Sequence, residues 1–370
     1  VDKKESQKKL APKQLACYYT LHMEDDIFED ENEDSRLVES QTAPGEAVFD
    51  NRLRPMTLSE FIGQEHIKEP LSISMEAAKA RQEPLEHILL YGNPGLGKTT
   101  LANIIAREMD STIKITAGPA LERVGDLAAI LSNLGKGDIL FIDEIHRMNR
   151  TIEEVLYSAM EDFALDIIIG KGPGARTLRM PLEPFTLIGA TTKMNLLSSP
   201  LRDRFGHMYH LAFYENTDIE KILARSASVL ETELEDAAKS VIATRARRTP
   251  RVANRLLKRV RDYAQIRHCG IITVPAAEEA LKMLSVDVHG LDEVDHKILN
   301  TLIRKFHGGP TGLSTLAAAV AEEIDTLENI YEPYLLQIGM LERTPRGRIA
   351  TQFAYEHMGI KMPKTQNTLL

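Results

Sequence analysis

One stretch constrains this chain more than any other: Gly92, Asn93, Pro94, Gly95, Leu96, Gly97, Lys98 and Thr99 satisfy the phosphate-binding pattern GxxxxGK[ST]. Phosphate oxygens need several backbone N–H groups converging on one point. A loop bent through glycine conformations at Gly92, Gly95 and Gly97 presents them that way. Lys98 then reaches the β and γ phosphates, and Thr99 and Thr100 open a helix whose positive end favours the anion. The flanks agree: His87 to Tyr91 (HILLY) reads as a buried strand, and Thr100 to Met109 carries apolar residues at helical spacing. Strand, loop and helix in that order imply an α/β nucleotide-binding domain.

At 370 residues the chain is long for one core, which suggests two to three domains. Residues 1–46 hold twelve acidic and six basic side chains, so most of the net charge of −9 sits there. Eight of the eleven residues from Glu24 to Asp34 are acidic, a composition that cannot bury a core and reads as a solvated extension. Overall acidity therefore does not exclude nucleic acid; local basic patches decide that. Cys17 and Cys269 stand in no metal or redox spacing, which fits a reducing, cytoplasmic setting. No apolar run approaches the roughly 20 residues of a membrane helix, and Pro12 and Lys13 spoil a lipoprotein-like reading of the residues before Cys17.

After the P-loop the chain supplies the rest of a nucleotide machine. Asp138 to Glu144 (DILFIDE) is an apolar strand ending in two carboxylates. Asp143 suits the Mg²⁺ shell, together with Thr99, and Glu144 is placed to polarise the attacking water, which points to hydrolysis and disfavours a mere nucleotide switch. Ile152 to Asp162 reads as a helix. Ala164 to Pro181 reads as a β-hairpin around Gly172, Pro173 and Gly174, whose Ile167, Ile168 and Ile169 serve either a partner surface or their own domain. Phe185 to Thr192 is a further buried strand with Thr192 at its polar end. Thr192, Lys193, Met194 and Asn195 lack the acid of a guanine-specificity motif, so adenine is favoured. Arg204 follows beyond the sheet edge.

From 216 to about 289 the pattern turns helical, and Arg245 to Arg267 carries nine basic residues against Asp262 alone. Its cationic face is either solvated or a phosphate contact. From Asp292 to about Phe353 the spacing predicts three helices and two strands, Met340 to Thr344 and Arg348 to Phe353, around Pro345, Arg346 and Gly347. That is a winged helix-turn-helix outline with Arg343, Arg346 and Arg348 on the wing, suited to DNA.

With these pieces in order, the chain resembles the RuvB family of AAA+ Holliday-junction branch-migration ATPases. The stretches LRPMTLSEFIGQ, GNPGLGKTT, FIDEIHRMNR, AMEDFALDIIIGKGPGAR, PLRDRFG, TPRVANRLLKRVRDYAQ and YEPYLLQIGMLERTPRGRIAT carry the resemblance. It implies an AAA+ core (47–215), a helical lid (216–290) and a winged-helix domain (291–360), between the acidic extension 1–46 and a tail, 361–370. It also implies ATP and Mg²⁺ as cofactors, a homohexameric ring on duplex DNA, and the partners RuvA and, at the junction, RuvC. By motif position, Leu53, Arg54, Ile62, Tyr214 and the run Glu161, Asp162, Phe163 would contact nucleotide. Thr192 would be the first sensor, Arg251 the second, and Arg204 a finger acting on the neighbouring subunit. Arg343 and Arg348 would meet DNA, and Ile167 to Ile169 would grip RuvA. Asn93 and Lys193 depart from the proline and arginine usual there. The competing reading is a related AAA+ remodeller or clamp-loader-like ATPase acting on protein.

Overall fold

The computed structural model describes residues 52–169 and 176–363. The acidic stretch 1–46, the turn at Gly172, Pro173 and Gly174, the tail from 364, and the side chains of Ile167, Ile168 and Ile169 lie outside the described residues. The chain divides into two compact units, one running from Arg54 to Tyr214 and the other holding Leu53 and everything from Glu215 onward.

In the first unit, helix α1 (Glu65–Arg81) leads to strand β1 (Ile88–Tyr91), the P-loop and helix α2 (Lys98–Glu108). Strand β2 (Ile113–Ala117) and helix α3 (Val124–Leu131) precede β3 (Ile139–Asp143), and helix α4 (Arg150–Asp162) follows it. A hairpin of β4 (Ala164–Ile169) and β5 (Arg176–Pro181) comes next, antiparallel with Ile167 opposite Leu178. Strand β6 (Thr186–Thr191), a short helix α5 (Ser199–Arg202) and β7 (His207–His210) complete the unit. The central sheet has the order β2-β3-β6-β1-β7, and every pairing in it is parallel. Parallel strands are covered on both faces, so they read as unbroken apolar runs: β6 is buried along its full length. The order also puts the ends of β1, β3 and β6 side by side. All three sequence motifs therefore meet at one edge, where open parallel sheets bind ligands.

In the second unit, helices α6 (Asn216–Val229), α7 (Asp236–Arg245), α8 (Pro250–Arg267) and α9 (Val274–Met283) pack together, with the two-residue strands β8 (Glu233–Leu234) and β9 (Ile271–Ile272) pairing between them. The basic run is not a bare cationic face. Arg247 is buried against Asp295, Arg248 pairs with Glu215, and Arg261 bonds Asp262. Arg245 donates to backbone carbonyls of Asp287 and Val241. Four of the nine basic side chains in the run are thus engaged within their own unit.

Helix α10 (Glu293–Asn300) continues as a π-turn over Thr301–Lys305 and is followed by α11 (Leu313–Val320). A helical run opening at Ile324–Thr326 passes through a second π-turn, Leu327–Tyr331, and ends as α12 (Glu332–Gln337). Strands β10 (Leu341–Thr344) and β11 (Gly347–Ala350) form the wing, with Arg343 opposite Arg348. The second wing strand is shorter than expected. Thr351 accepts the Ala354 N–H at 3.3 Å and starts helix α13 (Gln352–His357), so Phe353 is helical and not the end of a strand. Thr311 exchanges two backbone hydrogen bonds with Arg348, which ties the wing to the body of the domain. Among the described residues no helix is long and apolar enough to cross a membrane.

A candidate nucleotide site and its arginine edge

The P-loop lies at the common edge of β1, β3 and β6, and neighbouring backbone closes around it. Gly92 has φ +140°, and a Cβ there would come within 2.4 Å of the Leu211 carbonyl oxygen. Only glycine fits. The Gly92 N–H donates to Thr191 O at 3.2 Å, joining the loop to the end of β6, and the Tyr214 hydroxyl donates to Leu96 O at 3.2 Å on the other limb. At Gly97, φ is +102° and Phe61 sits where a side chain would go. Three residues on, Gln64, the left-handed cap of α1, exchanges two hydrogen bonds with Ala212 at 2.7 and 3.1 Å. Lys98 is nearly buried, and its Nζ donates to Gly92 O and Asn93 O at 2.8 and 2.9 Å. The ammonium thus spans the loop it belongs to. Thr99 and Thr100 occupy the first turn of α2 and are half-buried, and Ile62 is half-buried between Phe61 and Gly63.

Asp143 ends β3, with Oδ1 accepting the Glu144 N–H at 2.9 Å. Glu144 adopts φ +46°, uncommon for a residue with a side chain and typical of sites where backbone geometry is set by function. Gly118 permits this, since a Cβ there would lie 2.4 Å from the Glu144 carbonyl oxygen. Arg147 Nη1 holds Glu144 Oε2 at 2.9 Å, but both side chains are about half exposed. An exposed pair of this kind is worth at most about 1 kcal/mol, so Glu144 is readily released toward a water. Thr191, the last residue of β6, is buried and shares its hydroxyl with His146 Nδ1 at 3.0 Å, and Thr192 is the first residue past the strand. Burial pushes the His146 ring below its ordinary pKa, which keeps it neutral beside these groups. The oxygen donors Thr99 and Asp143 stand at the same sheet edge and are the hard ligands that Mg²⁺ prefers.

Other expected site residues are brought to the opposite edge. Helix α4 runs back from the end of β3 for about 20 Å at 1.5 Å per residue. Its last residues and Phe163 meet the starts of β1 and β6: Phe163 packs edge-on against His87 and Phe185, with centroids 6.3 and 5.8 Å away. Arg204 is held there too. It donates to Glu161 at 2.8 Å and to Pro200 O at 2.7 Å, and lies over the Tyr157 ring at 4.9 Å. Tyr157 is braced by Ser198 at 2.6 Å and Glu153 at 3.1 Å. Asp162 pairs with Arg179 at 2.7 Å. A cleft of about 390 Å³, lined among others by His87, Phe163, Phe185 and Arg204, opens at this edge. Arg204 precedes β7, whose first residue is level with Ile88, so the length of β1 separates it from its own P-loop. Four residues at about 3.3 Å each make that at least roughly 13 Å, beyond an arginine's reach.

Leu53 and Arg251 belong to the second unit: Leu53 is buried with its carbonyl accepting from Arg225 at 2.7 Å, and Arg251 stands in the first turn of α8. On the wing, Arg343 and Arg346 are exposed. Arg348 is not, contrary to the expectation that it meets DNA. Its guanidinium makes two 2.9 Å bonds to the buried carboxylate of Glu332, the paired geometry of a brace. Sequence reasoning missed Glu332, and also Gln64, Gly118, Arg147 and His146. Only the last two carried a signal, through their closeness to the paired acids.

Three family models cover the described body of the chain: a Holliday junction DNA helicase RuvB P-loop domain at residues 53–211, a RuvB AAA lid domain at 214–287, and a RuvB C-terminal winged helix domain at 288–359. The Holliday junction branch migration complex subunit RuvB of Dehalococcoides mccartyi (strain CBDB1) is 58% identical over 335 residues, 90% of this chain and 96% of that protein. Solved structures of Thermotoga maritima RuvB are also similar. The Holliday junction branch migration motor is 51% identical with a TM-score of 0.78, covering 84% of this chain and 100% of that one. A point mutant of the same Thermotoga maritima protein is 52% identical with a TM-score of 0.79, covering 84% of this chain and 99% of that one.

Proposed function

Because the chain belongs to the RuvB family of AAA+ Holliday-junction branch-migration ATPases, we propose that it hydrolyses ATP in a homohexameric ring on duplex DNA and, with RuvA, drives junction branches, handing the junction on to RuvC. The observation that carries the ring is the division of the site. The phosphate-binding half and the arginine half stand at opposite edges of one unit, so one copy cannot complete its own site, whereas two copies placed edge to edge can.

In this reading the P-loop amides and Lys98 bind the β and γ phosphates, and Thr99 with Asp143 holds Mg²⁺, which supplies charge neutralisation of the phosphates when bound. Glu144 leaves Arg147 and takes a proton from the attacking water. Thr192 reports the γ phosphate. By motif position Leu53, Arg54, Ile62 and Tyr214 are assigned to the nucleotide and Arg251 to the role of second sensor. Glu161, Asp162 and Phe163 with Arg204 face the neighbour's nucleotide. Arg343 and Arg346 contact DNA phosphates while Arg348 positions the wing, and the β4–β5 hairpin docks RuvA through Ile167 to Ile169.

The test is ATP turnover with and without four-way-junction DNA and RuvA. The wild type is expected to be stimulated by both, and Glu144→Gln to keep ATP binding and lose turnover. A turnover rate indifferent to DNA, or a Glu144→Gln variant with normal turnover, overturns the proposal.

A further inference from the structure

A second constellation of chemistry-bearing side chains lies far along the chain from the nucleotide motifs. Asp287 follows α9 in the linker to α10, His296 stands on α10, and His357 ends α13. Their side chains converge: His357 Nε2 lies 2.8 Å and His296 Nε2 3.0 Å from the same oxygen, Asp287 Oδ2. The two rings stack, with centroids 5.5 Å apart and planes 25° from parallel. All three ligand atoms lie within 4.8 Å of one another, and all three side chains are half-buried, enclosed yet reachable from solvent.

The carboxylate is oriented before anything binds. Its other oxygen, Oδ1, accepts the N–H groups of His289 and Leu291 at 2.8 and 2.9 Å. The linker around it is anchored in turn, since Arg245 Nε donates to Asp287 O at 3.1 Å and the Tyr334 hydroxyl donates to His289 O at 2.6 Å. Such outer contacts are what fixes a metal ligand in place. A hydrogen-bonding role alone would be met by one ring; two imidazoles aimed at a single oxygen from separate helices make a three-donor face.

We propose that Asp287, His296 and His357 form a binding site for a Zn²⁺-class divalent cation that clamps the linker after α9 to both α10 and α13. Two imidazole nitrogens and one carboxylate oxygen suit Zn²⁺ and its neighbours, and leave one position for water; Mg²⁺ and Ca²⁺ prefer all-oxygen sets. Around a tetrahedral ion with ligands at about 2.0–2.1 Å, donors stand roughly 3.3 Å apart. The nitrogen–oxygen distances need to open by only a few tenths of an ångström. On binding, each Nε2 offers its lone pair; its proton moves to Nδ1 or, from a charged ring, to solvent. This site is independent of the ATPase reading, because none of its residues belongs to the nucleotide or DNA machinery.

The experiment uses the full chain, stripped with EDTA and free of nucleotide, in Mg²⁺-containing buffer. Co²⁺ is titrated while its visible d–d absorption is followed, then displaced with Zn²⁺, and stoichiometry is read by equilibrium dialysis. The variants are His296→Gln and His357→Gln, which keep an N–H donor for Asp287 but remove the imidazole. One low-symmetry Co²⁺ site per chain is expected, displaced by Zn²⁺. Each variant should weaken binding by at least the 10–100-fold that loss of an outer contact costs. Zn²⁺ should raise the melting temperature of the wild type and not of the variants. Wild-type binding weaker than about 100 µM, or variants that bind as tightly as the wild type with unchanged circular dichroism, overturns the proposal.

Discussion

The pair formed by Arg348 and Glu332 separates two roles for the wing by a measurable energy. Glu332 is 2% and Arg348 8% exposed, and two charge-assisted bonds of 2.9 Å join them. Deleting one member of a buried pair leaves the other charged and unsolvated, which costs about 3–5 kcal/mol. At roughly 4–8 °C per kcal/mol for a domain of this size, Arg348→Met or Glu332→Leu should lower the winged-helix transition by at least about 12 °C. The double variant removes both charges. It should recover most of that loss, because apolar replacement of a whole buried pair is often neutral or better. Calorimetry on the full chain reads these shifts, and DNA affinity against salt supplies the second measurement. Arg343→Ala and Arg346→Ala should each flatten the log–log salt slope by about 0.9, the increment for one phosphate contact. If Arg348→Met melted within about 1 kcal/mol of the wild type yet flattened the slope by one contact, the guanidinium would be leaving Glu332 for phosphate. The brace argument would then fail.

Two further outcomes follow from the P-loop unit. Buried His87 donates from Nε2 to Met160 O at 3.1 Å and accepts the Leu187 N–H on Nδ1 at 2.9 Å, so it is held neutral, and burial lowers its pKa from 6.5. The unfolded chain gains a proton below about pH 6.5 that the folded chain resists. His87 therefore stabilises fully above that pH, and stability falls below it by up to about 1.4 kcal/mol per unit. Urea titrations of the wild type should show this acid slope and those of His87→Gln a flatter one; equal slopes would remove His87 from the account. For Arg204→Ala, ATP binding should survive while turnover falls by roughly 10³ to 10⁵. Mixing it with Lys98→Ala should restore some activity, since a mixed ring can join an intact P-loop to an intact finger. No recovery in rings shown to be mixed would mean that Arg204 works within its own subunit or only holds the ring together.

What could be read along the chain was whatever is encoded within a few residues. The P-loop, the DILFIDE strand and the FTLIGATT strand announce backbone conformation and burial locally, and their order was enough for a parallel sheet whose motif ends share one edge. Glycines needed for close approach, such as Gly92, were visible for the same reason. Side-chain fate was not. Arg343, Arg346 and Arg348 look alike in sequence, and only the packing of Glu332, sixteen residues away, takes Arg348 out of solvent. Arg204 and Glu161 are 43 positions apart, and α4 has to run the depth of the sheet before they meet. Asp287, His296 and His357 show no motif spacing at all; two helices and a linker bring them to one oxygen. Local spacing determines backbone geometry because helix and strand repeat over a few residues, whereas a charged side chain's role depends on its neighbours in space, which only the tertiary fold selects.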